Sequence, residues 1–150
     1  MNVRRPVTPR ITIADQPSEA DLVECKHEGF TGVVNLRNDG EPEQPLSTSE
    51  EGQKVRSLGM EYHHLGVGGA PLGDPGVATA CNFIDRLIGA EGKVLVHCRK
   101  GGRAMALVLI QQARAQGWRA EEAIEKGRAL GLQVDGQLKT MVENYLSSQS

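Results

Sequence analysis

A cysteine followed by basic residues and two glycines is the clearest chemical feature of this sequence. Cys98 directly follows His97. The next five residues are two cations, two glycines and a final arginine: Arg99, Lys100, Gly101, Gly102 and Arg103. The thiolate is the nucleophilic form of cysteine, and nearby cations and the backbone amides at a helix start stabilise it. The segment therefore predicts a nucleophile and an oxyanion-binding loop in one place.

The apolar segment before this loop predicts how the loop is positioned. Lys93 to His97 shows no alternation of polar and apolar residues, which is typical of a strand covered by helices on both faces. The segment from about Arg103 to Gln116 is apolar on most of its surface, which predicts a buried helix. The site is thus expected beyond the carboxyl end of a strand, where ligands of α/β sheets bind.

The rest of the chain alternates between strand and helix patterns. Strands are predicted at about 10–13, 32–36 and 61–65, and helices at about 18–29, 47–58, 75–88, 120–130 and 137–146. The chain start and Asn38 to Pro45 are expected to be irregular, and either Ser47 or Ser49 caps the second helix. This order predicts a three-layer α/β domain with a mainly parallel sheet flanked by helices.

Composition narrows the classes of function. The 150 residues are expected to form one domain with its core at about 10–147. The longest apolar run, Ala104 to Ile110, is far shorter than the ~20 residues that a membrane span needs. A net charge of −2 and 3% aromatic residues disfavour nucleic acid as a partner. Three widely spaced cysteines argue against a disulfide framework or a zinc site, so we expect a cytoplasmic protein without metal or cofactor.

The loop supplies candidates for binding an oxyanion such as phosphate. They are Arg99, Lys100, Gly101, Gly102, Arg103 and Ala104. A cation at a helix start opposes the helix dipole, so Arg103 calls for a compensating anion. Arg99 and Lys100 would raise the local anion concentration. His97 is either an ordinary strand-end residue or a residue that orients the loop by a hydrogen bond.

If the bound oxyanion is an ester that the thiolate attacks, its cleavage also benefits from a general acid that protonates the leaving oxygen. Asp74 and Asp39 are the candidates. Asp74 precedes a helix that starts at Pro75, where capping alone would explain it. Asp39 belongs to an Asn-Asp-Gly turn that follows the second predicted strand, and turn formation alone would explain this residue.

Four ordered segments resemble the DUF442 family of bacterial proteins, which are similar to dual-specificity phosphatases and are sometimes fused to beta-lactamase-like hydrolases. The segments are Ala14 to Pro17, Gly32 to Glu41, Gly68 to Pro71 and His97 to Arg103, within a resemblance from Ile11 to about Leu130. The resemblance implies a cysteine-phosphatase-like fold and hydrolysis of phosphomonoesters through a cysteinyl phosphate on Cys98. The implied substrate is a phosphorylated protein or a small phosphoester.

Two departures keep other functions open. The common phosphatase signature has five residues between cysteine and arginine and often Ser or Thr after the arginine, whereas this chain has four residues and Ala104. The loop also resembles the rhodanese pattern Cys-Arg-x-Gly-x-Arg, which implies sulfur transfer through a Cys98 persulfide. The other rhodanese segments are missing, so phosphatase chemistry is favoured. A catalytically silent anion-binding module is the third interpretation.

Overall fold

The computed structural model describes residues 1–68, 73 and 75–149. These residues include five strands: β1 (Arg4–Thr8), β2 (Ile11–Ala14), β3 (Gly32–Asn35), β4 (Glu61–His64) and β5 (Val94–His97). They also include six helices: α1 (Glu19–His27), α2 (Thr48–Ser57), α3 (Gly76–Gly89), α4 (Gly102–Gln116), α5 (Ala120–Ala129) and α6 (Gly136–Ser148).

The strands form one sheet in the order β1-β2-β5-β3-β4. Only β1 runs antiparallel to its neighbour. In register, His97 at the end of β5 lies between Ala14 at the end of β2 and Asn35 at the end of β3. Because parallel strands end at the same edge, the segments that follow these three strands meet there.

Helices cover both faces of the sheet, which confirms the three-layer α/β prediction. On one face, Val94 and Val96 of β5 join an apolar cluster with buried side chains of α3, α4, α5 and α6. On the other face, Leu95 joins a cluster with α1 and α2. This two-sided burial explains why β5 shows no polar alternation.

The first residues of α1 and α2 form N-terminal capping motifs that can be read from the sequence. The hydroxyl groups of Ser18 and Ser47 each accept a hydrogen bond from the backbone N–H three residues later, and the carboxylates of Asp21 and Glu50 each accept one from the backbone N–H of the cap. These reciprocal capping boxes fix where α1 and α2 begin. Of the two predicted caps for α2, the structure thus selects Ser47.

The chain start was wrongly predicted to be irregular. Residues 4–8 form β1, an edge strand with a register irregularity between Pro6 and Thr8. Proline is tolerated at a sheet edge, and pairing with β2 supplies the order that local sequence does not. Pro75 is the N-cap of α3, whereas the predicted cap Asp74 lies outside the described residues. No helix within the described ranges is long and apolar enough to cross a bilayer.

Candidate active site

Cys98 begins a short loop between β5 and α4, which we call the Cys98 loop (residues 98–103). Its thiol is only 1% exposed. Gly101 is the N-cap of α4 with φ +103°, a backbone conformation that glycine adopts without the strain of a Cβ. This conformation lets the Gly101 amide donate to Cys98 Sγ at 3.1 Å. The loop thus turns a backbone N–H toward the sulfur, as an anion-binding helix start does.

Arg103 lies at the other end of the loop and is held by several acceptors. Its Nη2 lies 2.7 Å from Oε1 of Glu41 and its Nη1 lies 2.9 Å from Oε2 of the same residue. Nη1 also donates to the carbonyl oxygens of Val67 and Leu36. The hydrogen bond to Glu41 raises the pKa of Arg103, burial opposes this effect, and the nearby Cys98 raises the pKa further. The guanidinium is therefore both fixed in orientation and adjacent to the thiol.

Glu41 links Arg103 to the segment that follows β3. Its hydrogen bond to Arg103, aided by hydrogen bonds from the Asn38 amide and from Arg37, lowers the pKa of Glu41 to about 2. Arg37 is fully buried and donates from Nε to Glu41 Oε1 at 3.2 Å. The carboxylate therefore stays ionised at neutral pH and bridges two arginines.

Arg37 also ties down the rest of the segment after β3. It donates to the carbonyl oxygens of Pro42 and Glu43. Its Nη1 also donates to Oε1 of Gln16 at 2.8 Å. A buried guanidinium needs such a full set of acceptors, and here they shape the segment that presents Glu41.

The residue before Cys98 has a buried carboxyl partner. Nε2 of His97 lies 2.6 Å from Oε2 of Glu51, and both side chains are at most 1% exposed. The other oxygen of Glu51 accepts from Nε2 of Gln16 at 3.1 Å. The 2.6 Å distance between Nε2 of His97 and Oε2 of Glu51 is that of a hydrogen bond between the imidazole and the carboxyl group. The described partner of His97 thus belongs to α2 and not to the Cys98 loop, and its Nδ1 is buried without a hydrogen-bond partner among the described residues, so a role in orienting the loop stays a prediction.

These contacts join the two ends of the Cys98 loop. The hydrogen-bonded path consists of His97, Glu51, Gln16, Arg37, Glu41 and Arg103. We call this path the loop-end network. The peptide backbone from His97 through the Cys98 loop to Arg103 closes this path into a ring. The segments after β2 and β3 and the helix α2 all contribute to it, as expected from the shared sheet edge.

Arg99 and Lys100 line a cleft of about 700 Å³ beside the loop, together with Gln16 and Glu43. Arg99 forms an exposed ion pair with Glu43 at 2.6 Å. The remaining lining residues are Met1, Asn2, Val3, Asp15, Ser18, Asp21 and Pro45. Cys98 is not among them, so the cleft adjoins the buried thiol without exposing it. The two cations therefore face this cleft.

The remaining candidate residues have distinct positions. Gly102 is the first residue of α4, and Ala104 is fully buried in it. Asp39 accepts from the backbone N and the hydroxyl of Thr48 at 2.7 and 3.1 Å, so it holds the start of α2 and makes no described contact with the loop. The other predicted acid, Asp74, lies outside the described residues.

The described carboxylates at this edge all have hydrogen-bond partners. Glu41 binds arginines, Glu51 binds His97, Asp39 binds Thr48 and Glu43 binds Arg99. The thiol and the cation needed for attack on an electrophilic phosphorus or sulfur are thus in place. A proton donor for a leaving group is not evident among the described side chains. Nor do three His, Cys, Asp or Glu side chains in this part of the chain cluster as metal ligands would.

Sequence reasoning assigned no role to Glu51, and it included Gln16, Arg37 and Glu41 only as members of the two resembling segments that end at Pro17 and at Glu41. Glu51 had a detectable signal. The buried positions of α2 are Thr48, Glu51, Gly52 and Val55, which is the spacing of one helix face. A carboxylate on an inward face needs a buried partner, and His97 supplies it.

Comparison with known proteins places the chain in a family. The model of the family described as "Beta-lactamase hydrolase-like protein, phosphatase-like domain" matches residues 3–115. The Beta-lactamase hydrolase-like protein of Agrobacterium fabrum (strain C58) is 34% identical over 108 residues, which is 71% of this chain and 24% of that protein. The Xylella fastidiosa (strain 9a5c) protein of the same name is 28% identical over 138 residues, 91% of this chain and 31% of that one. The chain thus spans about a quarter to a third of these relatives.

Solved structures confirm the predicted fold. Tk-PTP in its active form superposes with a TM-score of 0.79 at 21% identity, covering 98% of this chain and 97% of that one. A DUF442 protein from Shewanella putrefaciens CN-32 gives a TM-score of 0.74 at 20% identity, covering 97% and 91%. PTPMT1 gives 0.78 at 15% identity, covering 97% and 95%. At these identities the similarity establishes a cysteine-phosphatase-like fold.

Proposed function

The chain belongs to the phosphatase-like domain family of beta-lactamase hydrolase-like proteins, and on that basis we propose that it is a phosphatase whose nucleophile is Cys98. One observation carries the proposal: the amide of Gly101 donates to Cys98 Sγ while the guanidinium of Arg103 lies beside the same thiol. Both groups stabilise negative charge at one point. The substrates would be phosphomonoesters, either a phosphorylated protein, as for a tyrosine or dual-specificity phosphatase, or a small phosphoester.

The reaction proceeds in two displacements on phosphorus. The Cys98 thiolate attacks the phosphorus atom, an S–P bond forms, and the P–O bond to the leaving group breaks. Water then attacks the cysteinyl phosphate, releases inorganic phosphate and returns the thiolate. The loop amides from Arg99 to Ala104 and the guanidinium of Arg103 hold the equatorial oxygens.

The leaving oxygen takes a proton in the first displacement. We assign that proton to Asp74, the carboxyl group that precedes α3 in the sequence. Asp39 is the weaker candidate because both of its oxygens accept hydrogen bonds from Thr48. Glu41 is unsuited, because a pKa of about 2 leaves it without a proton at neutral pH.

Phosphate release from a small aryl phosphate between pH 5 and 8, in the presence of reductant, tests the proposal. We expect turnover by the wild type and none by Cys98→Ser. The matched control is Cys25→Ser, since Cys25 is buried on the opposite face of the sheet and should leave turnover intact. Substantial turnover by Cys98→Ser, or none by the wild type, would overturn the mechanism.

Sulfur transfer is the second candidate, and a specific observation favours it. The loop has four residues between Cys98 and Arg103, one fewer than the common phosphatase signature, and the described carboxylates around it are already paired. Sulfur transfer needs no acid for its leaving group. The thiolate attacks the outer sulfur of thiosulfate, the S–S bond breaks, sulfite leaves, and a Cys98 persulfide remains for an acceptor thiolate.

Mass spectrometry after incubation with thiosulfate separates these candidates. Gain of one sulfur atom by the wild type but not by Cys98→Ser, without phosphate release, selects the sulfurtransferase. Thermal stabilisation by inorganic phosphate without turnover on either substrate selects a silent anion-binding module, as the buried Ala104 would permit.

A further inference from the structure

We infer that Gln16 is a positioning residue that couples the two ends of the Cys98 loop. The inference deepens the proposed function, because it rests on Cys98 being the reactive group. Gln16 lies at the middle of the loop-end network. On one side it binds Glu51, the partner of His97, and on the other it binds Arg37, which leads through Glu41 to Arg103.

An amide is the side chain that this position requires. Glu51 and the carbonyl group of Pro17 offer acceptors and Arg37 offers a donor, and a primary amide presents two N–H donors on one atom and an acceptor oxygen at a fixed distance from it. The amide orientation follows from these partners, since a flipped Gln16 would set its NH₂ against the guanidinium and its oxygen against the carboxylate. Gln16 therefore determines which group donates and which accepts in the hydrogen bonds along the path.

Burial makes this path rigid. His97, Glu51 and Arg37 are at most 1% exposed, so a broken link leaves a polar group without water to replace its partner. A displaced Glu51 would therefore leave His97 without its hydrogen-bond partner. A displaced Arg37 would weaken the hold on Glu41 and, through it, on Arg103. Through its hydrogen bonds to Glu51 and Arg37, Gln16 holds both the start of the loop, next to the thiol, and Arg103 at its end.

An exchange of side chains tests the inference. Gln16→Glu sets a carboxylate against that of Glu51, and Glu51→Gln sets an amide NH₂ against that of Gln16. In the double variant the new carboxylate at position 16 accepts from Arg37 and from the new amide at position 51, whose oxygen accepts from His97. Every donor again faces an acceptor, and the net charge is unchanged.

The readout is the second-order rate constant for alkylation of Cys98 by iodoacetamide at fixed pH, followed by mass spectrometry. Since the thiol depends on the loop for its stabilisation, we expect each single variant to react at least about threefold more slowly and the exchange to recover the wild-type rate within about twofold. Thermal unfolding of each variant accompanies the rates. An exchange no faster than the slower single variant would overturn the inference, as would single variants with the wild-type rate.

If Glu51→Gln does not fold, Gln16→Met decides the question. Gln16 is only half-buried, and methionine keeps its length while it removes all three side-chain hydrogen bonds, those with Glu51, with Arg37 and with the carbonyl oxygen of Pro17. A folded Gln16→Met with the wild-type alkylation rate overturns the inference, and a slower rate supports it. Alkylation needs no turnover, so recovery by the exchange without any phosphate release contradicts the phosphatase proposal alone. Turnover in the wild type without recovery contradicts this inference alone.

Discussion

Glu41 and Arg103 form a two-pronged ion pair across 62 residues of sequence, with contacts of 2.7 and 2.9 Å between the carboxylate oxygens and the guanidinium nitrogens. The pair holds the guanidinium of Arg103 in position before any substrate binds. Such preorganisation matters because a cation that is already in place has no reorganisation cost when charge develops on the phosphoryl oxygens.

Replacement of Arg103 by lysine should therefore be severe although the charge is kept. Lysine cannot hold both oxygens of Glu41 and also the carbonyl groups of Leu36 and Val67, because its charge is a single point on a flexible stem. We expect phosphate release by Arg103→Lys to fall by about a hundredfold or more.

Arg86→Lys is the matched control, because Arg86 makes the same two-pronged contact with Glu61 on an exposed surface away from the loop. Exposed ion pairs contribute little, so its turnover should match that of the wild type. Equal losses in the two variants would contradict a special role for the Arg103 geometry.

The Glu41 pair also predicts a pH dependence of stability. The folded-state pKa of Glu41 is about 2, below its ordinary value of 4.5, so the pair stabilises the fold above pH 4.5 and this contribution is lost as the pH falls toward 2. We expect Glu41→Gln to lower the free energy of unfolding by on the order of 2 kcal/mol at pH 7. Denaturant unfolding should show this difference shrinking between about pH 5 and pH 2. A difference independent of pH would contradict the prediction.

Gly101 should be sensitive for two separable reasons. Alanine at φ +103° costs about 1 kcal/mol or more of backbone strain, and any shift of the loop weakens the amide contact with Cys98. We expect Gly101→Ala to lower both the melting temperature and the alkylation rate of Cys98. Gly29→Ala is the control, since Gly29 has φ +92° with open space around it at the end of α1. It should share the loss of stability but keep the alkylation rate.

Cys25 should remain unmodified while Cys98 reacts. Burial raises the pKa of Cys25 to about 11, so its reactive thiolate is scarce at pH 8. Peptide mass spectrometry after iodoacetamide treatment at pH 8 should find label on Cys98 and none on Cys25, and label on Cys25 should appear as the pH approaches 11. Comparable labelling of both cysteines at pH 8 would contradict this assignment.

The sequence was most informative where a local rule decides the structure. The run Lys93 to His97, the serine caps of α1 and α2, and the glycine loop after β5 all carry their own signals, and the fold follows from their order. β1 carries no such signal, because Arg4, Arg5 and Pro6 read as a polar chain end until β2 lies alongside them. Long-range pairing, rather than local propensity, makes that strand.

The residues of the candidate site likewise fall into those that a local motif reveals and those that only tertiary contacts reveal. Cys98 and Arg103 belong to one continuous motif, whereas Gln16, Arg37 and Glu51 come from three separate segments and read as ordinary surface polar residues. Their burial is a tertiary property, because each becomes tolerable inside only when the others supply its hydrogen bonds. No single-residue pattern could reveal that mutual dependence. The inward face of α2 alone pointed to Glu51.

The central position of β5 gives the two halves of the site different mobilities. β5 is hydrogen-bonded to a parallel strand on each side, so Cys98 is attached to the part of the sheet whose amide protons should exchange with solvent most slowly. The side chain of Glu43 lies instead on an exposed part of the segment between β3 and α2, where its ion pair with Arg99 opens at little cost. Opening of this exposed pair would therefore free Arg99 while Cys98 and the loop-end network stay in place, and ligand entry into the cleft need not disturb the sheet.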